Sequence, residues 1–143
     1  MKTYIGTKII QAEPQAKNCG PTETHGRAGY KVVYPDGYTS WSPAEAFDEA
    51  YRETSGMPFG MAIEALKKGL KVARAGWNGK GMWLKYVPED FCAHAVVLAE
   101  QDLPTGSPCL QALPWIGMKT SDNKFVPWLA SQTDMLANDW MAL

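Results

Sequence analysis

The chain has 143 residues, 45% of them apolar and 20% charged, with a formal net charge of −1. A chain of that length and balance forms one domain, or one domain with a small appendage, and is not a disordered polymer. So small a charge excludes a field strong enough to hold DNA, RNA or an anionic membrane, while leaving room for a local basic pocket for a small anion.

In chain order, TYIGTKIIQAEP reads as a strand ending at Pro14, and QAKNCGPTETHGRAG, without hydrophobic period, as a loop. GYKVVYPDGYTSWSP gives two β-rich runs joined by Pro35-Asp36-Gly37, where proline presets φ and glycine accepts a positive φ. A helix follows, with Ser42 as its predicted cap, Pro43 at its first position and Glu45 completing a capping box. Its apolar face is Phe47, Ala50 and Tyr51.

After Gly56 a second unit begins. Phe59, Ala62, Ile63 and Leu66 share one helical face, and Gly69 is the predicted stop. LKVAR and GMWLKYV read as strands around Asn78-Gly79, a strong two-residue turn pair. Between Glu89 and Leu113 the pattern is ambiguous: AHAVVLAE fits a short helix or a strand, and DLPTGSP fits a turn. PWIGMKT and KFVPWLAS form a predicted hairpin about Ser121-Asp122-Asn123. Ser131 to Asp134 resembles a capping box that opens a helical turn, and DWMAL closes the chain as a strand. The expected fold is therefore α+β: small antiparallel sheets with one or two short helices. Residues 1–55 form a β-hairpin-plus-helix appendage to residues 56–143.

Several kinds of site are not expected. No apolar run approaches a membrane span and the N-terminus lacks a signal-peptide core, so the cytoplasm is the default. Cys19, Cys92 and Cys109 make no CxxC pair, and an odd count argues against a disulfide framework. With His25 and His94 the only histidines, neither a metal site nor a cofactor is expected. Gly76, Gly79 and Gly81 match neither the dinucleotide fingerprint nor the phosphate-binding loop. His94 sits among Ala, Val and Leu, the setting of a core or interface histidine, and Glu89-Asp90 reads as a solvated pair. Ser107 and Cys109 have no partner resembling a nucleophile elbow. No acid, base and nucleophile assemble, so an enzyme is not expected.

Two aromatic stretches remain. Trp77 stands beside the Asn78-Gly79 turn, where its face can pack on the core or stack on a nucleobase. PWIGMKTSDNKFVPWLASQTDMLANDW carries three tryptophans and the polar run Ser131, Gln132, Thr133, Asp134. It fits a packed aromatic core or a ligand wall, with Lys119 or Lys80 neutralising phosphate and Asp134 suited to a ribose or an amine.

FGMAIEALKKGLKVARAGWNGKGMWLKY, taken with that second stretch, resembles the phage and prophage family of anti-Thoeris proteins of the second type, over residues 57–143. GYKVVYPDGYTSWSPAEAFDEAYR resembles an N-terminal element of other small phage proteins, and departs from the short form of the family, which begins near Met57. The resemblance implies a sponge. Such proteins bind, without cleaving, the glycocyclic ADP-ribose made by TIR-domain enzymes, and some also take cyclic dinucleotides of the CBASS defence at a separate site. It further implies a homotetramer with pockets at subunit contacts, acting in the cytoplasm of the infected bacterial host.

Carried over by motif position, Trp77 and Asn78 would meet the ligand, and Gly79 would let the backbone approach. Trp83, Ser131, Gln132 and Asp134 would complete the wall, from the same or a neighbouring subunit. Arg74 and Lys119 are the candidates for phosphate. Two alternatives stay open: an enzyme that degrades the same nucleotides, and a small phage interaction module whose tryptophans serve only core and assembly.

Overall fold

The computed structural model describes residues 1, 7–17, 26–77, 80–89 and 113–143. The chain divides into two compact units, Met1–Glu53 and Thr54–Leu143.

In the first unit, strands β1 (Gln11–Pro14), β2 (Gly29–Val33) and β3 (Thr39–Pro43) form an antiparallel sheet in chain order, followed by helix α1 (Ala44–Ala50). The β2–β3 connection is the expected turn. Gly37 N–H donates to Tyr34 O and Tyr34 N–H to Tyr38 O, both at 2.9 Å, with Gly37 at φ +84°. Alternation sends Tyr30 and Val32 to one face of β2, where Phe47 of α1 stacks between Tyr30 and Tyr51 at 4.1 and 4.8 Å.

Two expectations shift here. Among the described residues the first strand covers only Gln11–Pro14, while its pairing runs past the predicted end through Gln15 N–H to Gly29 O and a bridge between Lys17 and Arg27. The helix also starts one residue late and without a side-chain cap: Pro43 holds the cap position, because β3 stays paired to Gly29 through Pro43 and Ser42 is still strand.

The second unit is a five-stranded antiparallel sheet with helices at one face. Its elements are α2 (Phe59–Lys67), β4 (Val72–Arg74), a 3₁₀ turn (Ala75–Trp77), β5 (Trp83–Val87), β6 (Trp115–Lys119), β7 (Phe125–Pro127), α3 (Gln132–Met135) and β8 (Trp140–Ala142). Strand order is β7-β6-β5-β4-β8, so the last strand lies against β4 rather than its chain neighbour. Helix α2 forms where the 3.6 period predicts it, burying Ala62, Ala65 and Leu66 with Phe59 and Ile63 packed beside them. It ends in a Schellman motif: Gly69 N–H donates to Leu66 O and Leu70 N–H to Ala65 O, with Gly69 at φ +86°.

The β6–β7 hairpin repeats the geometry of the β2–β3 hairpin. Asn123 N–H donates to Thr120 O and Thr120 N–H to Lys124 O, with Asn123 at φ +66°. In each hairpin a glycine lies opposite a proline, Gly29 against Pro43 and Gly117 against Pro127. The aromatic residue two positions before that proline covers the glycine, so a Cβ there would overlap the ring of Trp41 or of Phe125.

The core of this unit is built around Trp140, which is fully buried with Leu66, Val72 and Leu84. Outside β8, Met57 exchanges both backbone hydrogen bonds with Trp140, and Ala142 N–H donates to Thr54 O at 2.8 Å. That incoming segment covers a strand edge that would otherwise be open to pairing. The architecture is α+β as expected, with three α-helices among the described residues, one of them in Met1–Glu53.

Gly69→Ala should destabilise the second unit by about 1 kcal/mol, because alanine is strained at a left-handed φ. Gly60→Ala, on the exposed side of α2 with open space at its Cβ, should raise stability by up to about 1 kcal/mol through helix propensity. Urea unfolding of the two variants should move the midpoint in opposite directions.

Candidate functional site

Where β4 ends, the chain turns through Ala75–Trp77 while β8 enters beside it, Arg74 pairing with Trp140 across the two strands. Arg74 points to the helix side of the sheet, and its side chain is 20% exposed. A cation so placed needs partners. It has two. Nε donates to Asp139 Oδ1 at 2.8 Å and Nη1 to Asp134 Oδ1 at 2.9 Å, and the guanidinium lies 6.0 Å from the Trp140 ring centroid.

Asp134 is doubly used. Its Oδ2 accepts from Ser131 N–H at 3.1 Å and from the Ser131 hydroxyl at 2.6 Å, while its own N–H donates to Ser131 Oγ at 3.1 Å. This is the reciprocal capping box expected for α3. The Asp134 carbonyl accepts the Trp140 indole N–H at 3.0 Å. Asp139 spends its second oxygen on Gly76 N–H at 3.1 Å, and its carbonyl accepts Ala75 N–H at 3.0 Å.

Charge follows from this geometry. The Arg74 guanidinium holds the Asp139 carboxyl below the usual carboxylate range, over a smaller opposing effect of burial. Burial pushes Asp134 up, but Ser131 and Arg74 together pull it further down, so it too is lowered. Asp139 and then Asp134 raise the pKa of Arg74. Both carboxylates are therefore ionised near neutrality. One cation against two anions leaves the cluster net negative, a setting that suits hydroxyl and amine donors better than phosphate.

Trp77 completes this end of the unit. It is half-buried, its ring meeting Trp140 edge-on at 5.6 Å.

Over residues 57–143 the chain matches the Tad2-like family, described as the Thoeris anti-defense 2-like domain. It is also 42% identical over 84 residues to the protein named Thoeris anti-defense 2 of Bacillus phage SP01, an alignment covering 59% of this chain and 91% of that one. The chain belongs to the Thoeris anti-defense 2-like family.

All nine predicted ligand positions fall within the Thoeris anti-defense 2-like region. The structure gathers Arg74, Trp77, Ser131 and Asp134 at one end, with Gln132 exposed in the first turn of α3. Trp83 and Lys119 stand elsewhere. They are directly opposed in the β5–β6 register and, by alternation, face away from the Arg74 side. There Trp83 lies 6.1 Å from Phe125 with Lys71 Nζ 4.2 Å over its ring, and Lys119 Nζ donates to Gly81 O at 3.1 Å. Asn78 and Gly79 lie outside the described residues. So do Cys19, Cys92, Cys109, His25, His94, Ser107 and Asp90, together with the ambiguous stretch that ends before Leu113. The strands do not run up to the Asn-Gly pair as a tight hairpin would require, since β4 stops at Arg74 and the 3₁₀ turn follows.

Sequence reasoning missed Asp139. Its signal was indirect: a half-buried arginine at a strand end needs carboxylates, and an aspartate directly before a buried tryptophan was a candidate. Among the described residues no group of three or more His, Cys, Asp and Glu side chains is placed to hold a metal ion. None of the described helices is long and apolar enough to cross a membrane.

Arg74→Met should destabilise the second unit by about 2 kcal/mol at neutral pH, less than for a fully buried pair because Asp139 is partly exposed. The two carboxyls have lowered folded pKa values, so the stability they bring is present above the ordinary carboxylate range and is lost as pH falls through those lowered values. The difference between wild type and variant should therefore shrink at about pH 3, where the unfolded-state carboxyls of pKa about 4 are protonated. Urea unfolding at pH 7 and pH 3 measures it, and an unchanged difference would refute the assignment.

Proposed function

We propose that this protein binds and sequesters an immune signalling cyclic nucleotide, the glycocyclic ADP-ribose made by TIR-domain enzymes, without cleaving it, and so blocks activation of the effector. The observation that carries this reading is membership of the Thoeris anti-defense 2-like family across residues 57–143. The site chemistry supports binding over cleavage. Asp134 and Asp139 are ionised, so neither is poised to donate a proton at neutral pH, and both are already engaged by Arg74, which occupies them as bases.

In this mechanism Trp77 stacks on the base, a contact contributing roughly 1–3 kcal/mol. Asn78 pairs with the ligand and Gly79 admits it to the backbone. The net negative charge around Asp134 favours ribose hydroxyls or an exocyclic amine there, with Ser131 and Gln132 as further polar partners. Arg74 stays a candidate for phosphate, but one that must share its guanidinium with two aspartates. Lys119, whose Nζ donates to the backbone carbonyls of Gly81 and Thr120, is the stronger candidate.

Because Trp83 and Lys119 face away from the Arg74 side, one ligand reaching both groups requires two subunits. This agrees with a homotetramer whose pockets lie at subunit contacts, in the host cytoplasm. Cyclic dinucleotides of the CBASS defence are the second ligand class to test. A nanomolar complex needs about −12 kcal/mol, which stacking and phosphate neutralisation in a preformed pocket can supply.

The test is capture. Purified protein is mixed with glycocyclic ADP-ribose and a panel of cyclic dinucleotides, freed of unbound ligand, denatured by heat, and the released molecules are identified. Intact ligand in stoichiometric amount is expected, and Trp77→Ala should weaken capture at least tenfold with the assembly intact. Altered ligand would mean an enzyme, and no capture would favour the interaction module.

A further inference from the structure

We propose that Asp139 is the positioning residue of the ligand site: it does not touch the ligand but holds the 3₁₀ turn that sets Trp77 in place. The inference rests on the reading of Trp77 as a stacking residue. Three bonds from this one residue converge on the exit of β4. The carboxylate accepts from Arg74 Nε at 2.8 Å and from Gly76 N–H at 3.1 Å, and the carbonyl accepts from Ala75 N–H at 3.0 Å.

Arg74, Ala75 and Gly76 immediately precede Trp77, so one donor from each is referred to the same anchor. The anchor itself cannot drift. The next residue, Trp140, is buried in the core and paired to Arg74 in the sheet, and its ring is the surface that Trp77 meets at 5.6 Å. Gly76 is part of the device: a Cβ there would come within 3.3 Å of Asp139 Oδ2, crowding the oxygen that grips the turn.

Three residues of a 3₁₀ turn have little stability of their own. Without the Asp139 carboxylate the turn loses the hydrogen bond from Gly76 N–H and the charge-assisted tie to Arg74, and Trp77 samples orientations that a flat ligand must then select against. Binding weakens by the fraction of time the competent orientation is lost.

The experiment measures affinity for glycocyclic ADP-ribose by calorimetry for wild type, Trp77→Ala, Asp139→Asn, the double variant and Gly76→Ala. Val72→Ala, in the core, is the control for stability loss alone. Asp139→Asn is expected to weaken binding at least tenfold, and the double variant to bind no more weakly than Trp77→Ala, because both changes act through one contact. Val72→Ala, once shown folded by circular dichroism, should bind within twofold of wild type. If Asp139→Asn fails to fold, Gly76→Ala carries the test, since it crowds the same oxygen and keeps both aspartates; weakening of fivefold or more is expected. Weak binding by Trp77→Ala alone, with Asp139→Asn and Gly76→Ala within twofold of wild type, would overturn the positioning role and leave the stacking role standing. Multiplicative losses in the double variant would also overturn it. Unchanged binding by Trp77→Ala would instead overturn the stacking role and with it this inference.

Discussion

Everything in the second unit is arranged around burying one indole. Trp140 has no exposed surface, and its single polar atom is satisfied by the Asp134 carbonyl at 3.0 Å. A buried N–H without a partner costs more than an ordinary hydrogen bond gains, so the position of α3 follows from this need. Phe59, Trp77 and Trp128 pack against the same ring at 5.5–6.0 Å, which ties α2, the 3₁₀ turn and the segment after β7 to β8. The polar cluster grows from the same root. Asp134 and Asp139 both closely precede the tryptophan in sequence, and Arg74 lies across from it in the sheet, so burying Trp140 brings the three charges together.

The sheet therefore has two chemical sides. On one, helices and the Trp140 core leave the Arg74 cluster at the rim. On the other, Trp83, Trp115 and Phe125 form an aromatic group with Lys71 and Lys119 about it. Side-chain alternation along β5 produces the separation, since Trp83 and Leu84 cannot face the same way. A ligand surface drawn from both sides is a property of an assembly, not of one chain.

Local signals were the legible part. The face of α2 and the stop at Gly69 came from spacing and from a glycine where a left-handed residue is needed. The two hairpins came from Pro35-Asp36-Gly37 and Ser121-Asp122-Asn123, and the α3 cap from Ser131 and Asp134. Each depends on neighbours within a few residues. What failed depended on pairing partners far away. Ser42 looked like a helix cap, but the pairing of Pro43 with Gly29 keeps it in a strand. Asn78-Gly79 itself lies outside the described residues, but the exit from β4 was not legible: the strand ends at Arg74, where Asp139, 65 residues on, takes hold of the turn. Of the site, Arg74, Ser131 and Asp134 were picked out singly. The ties of Asp134 and Asp139 to Arg74 were not, because nothing in local sequence shows that Arg74 already has two anions.

The backbone of the second unit begins and finishes at one place: Ala142 N–H meets Thr54 O, and Leu143 N–H meets Lys71 O at 2.9 Å. Adjacent ends are the geometry that tolerates circular permutation and insertion into another protein. A unit with this geometry can take on or shed a preceding segment without disturbing the far end of its sheet, because any such segment enters along the outer edge of β8. The same route gives a practical handle: a short linker from Leu143 back to Thr54, with new ends opened in the exposed Ser121-Asp122-Asn123 turn, would yield a reordered chain that keeps the packing around Trp140.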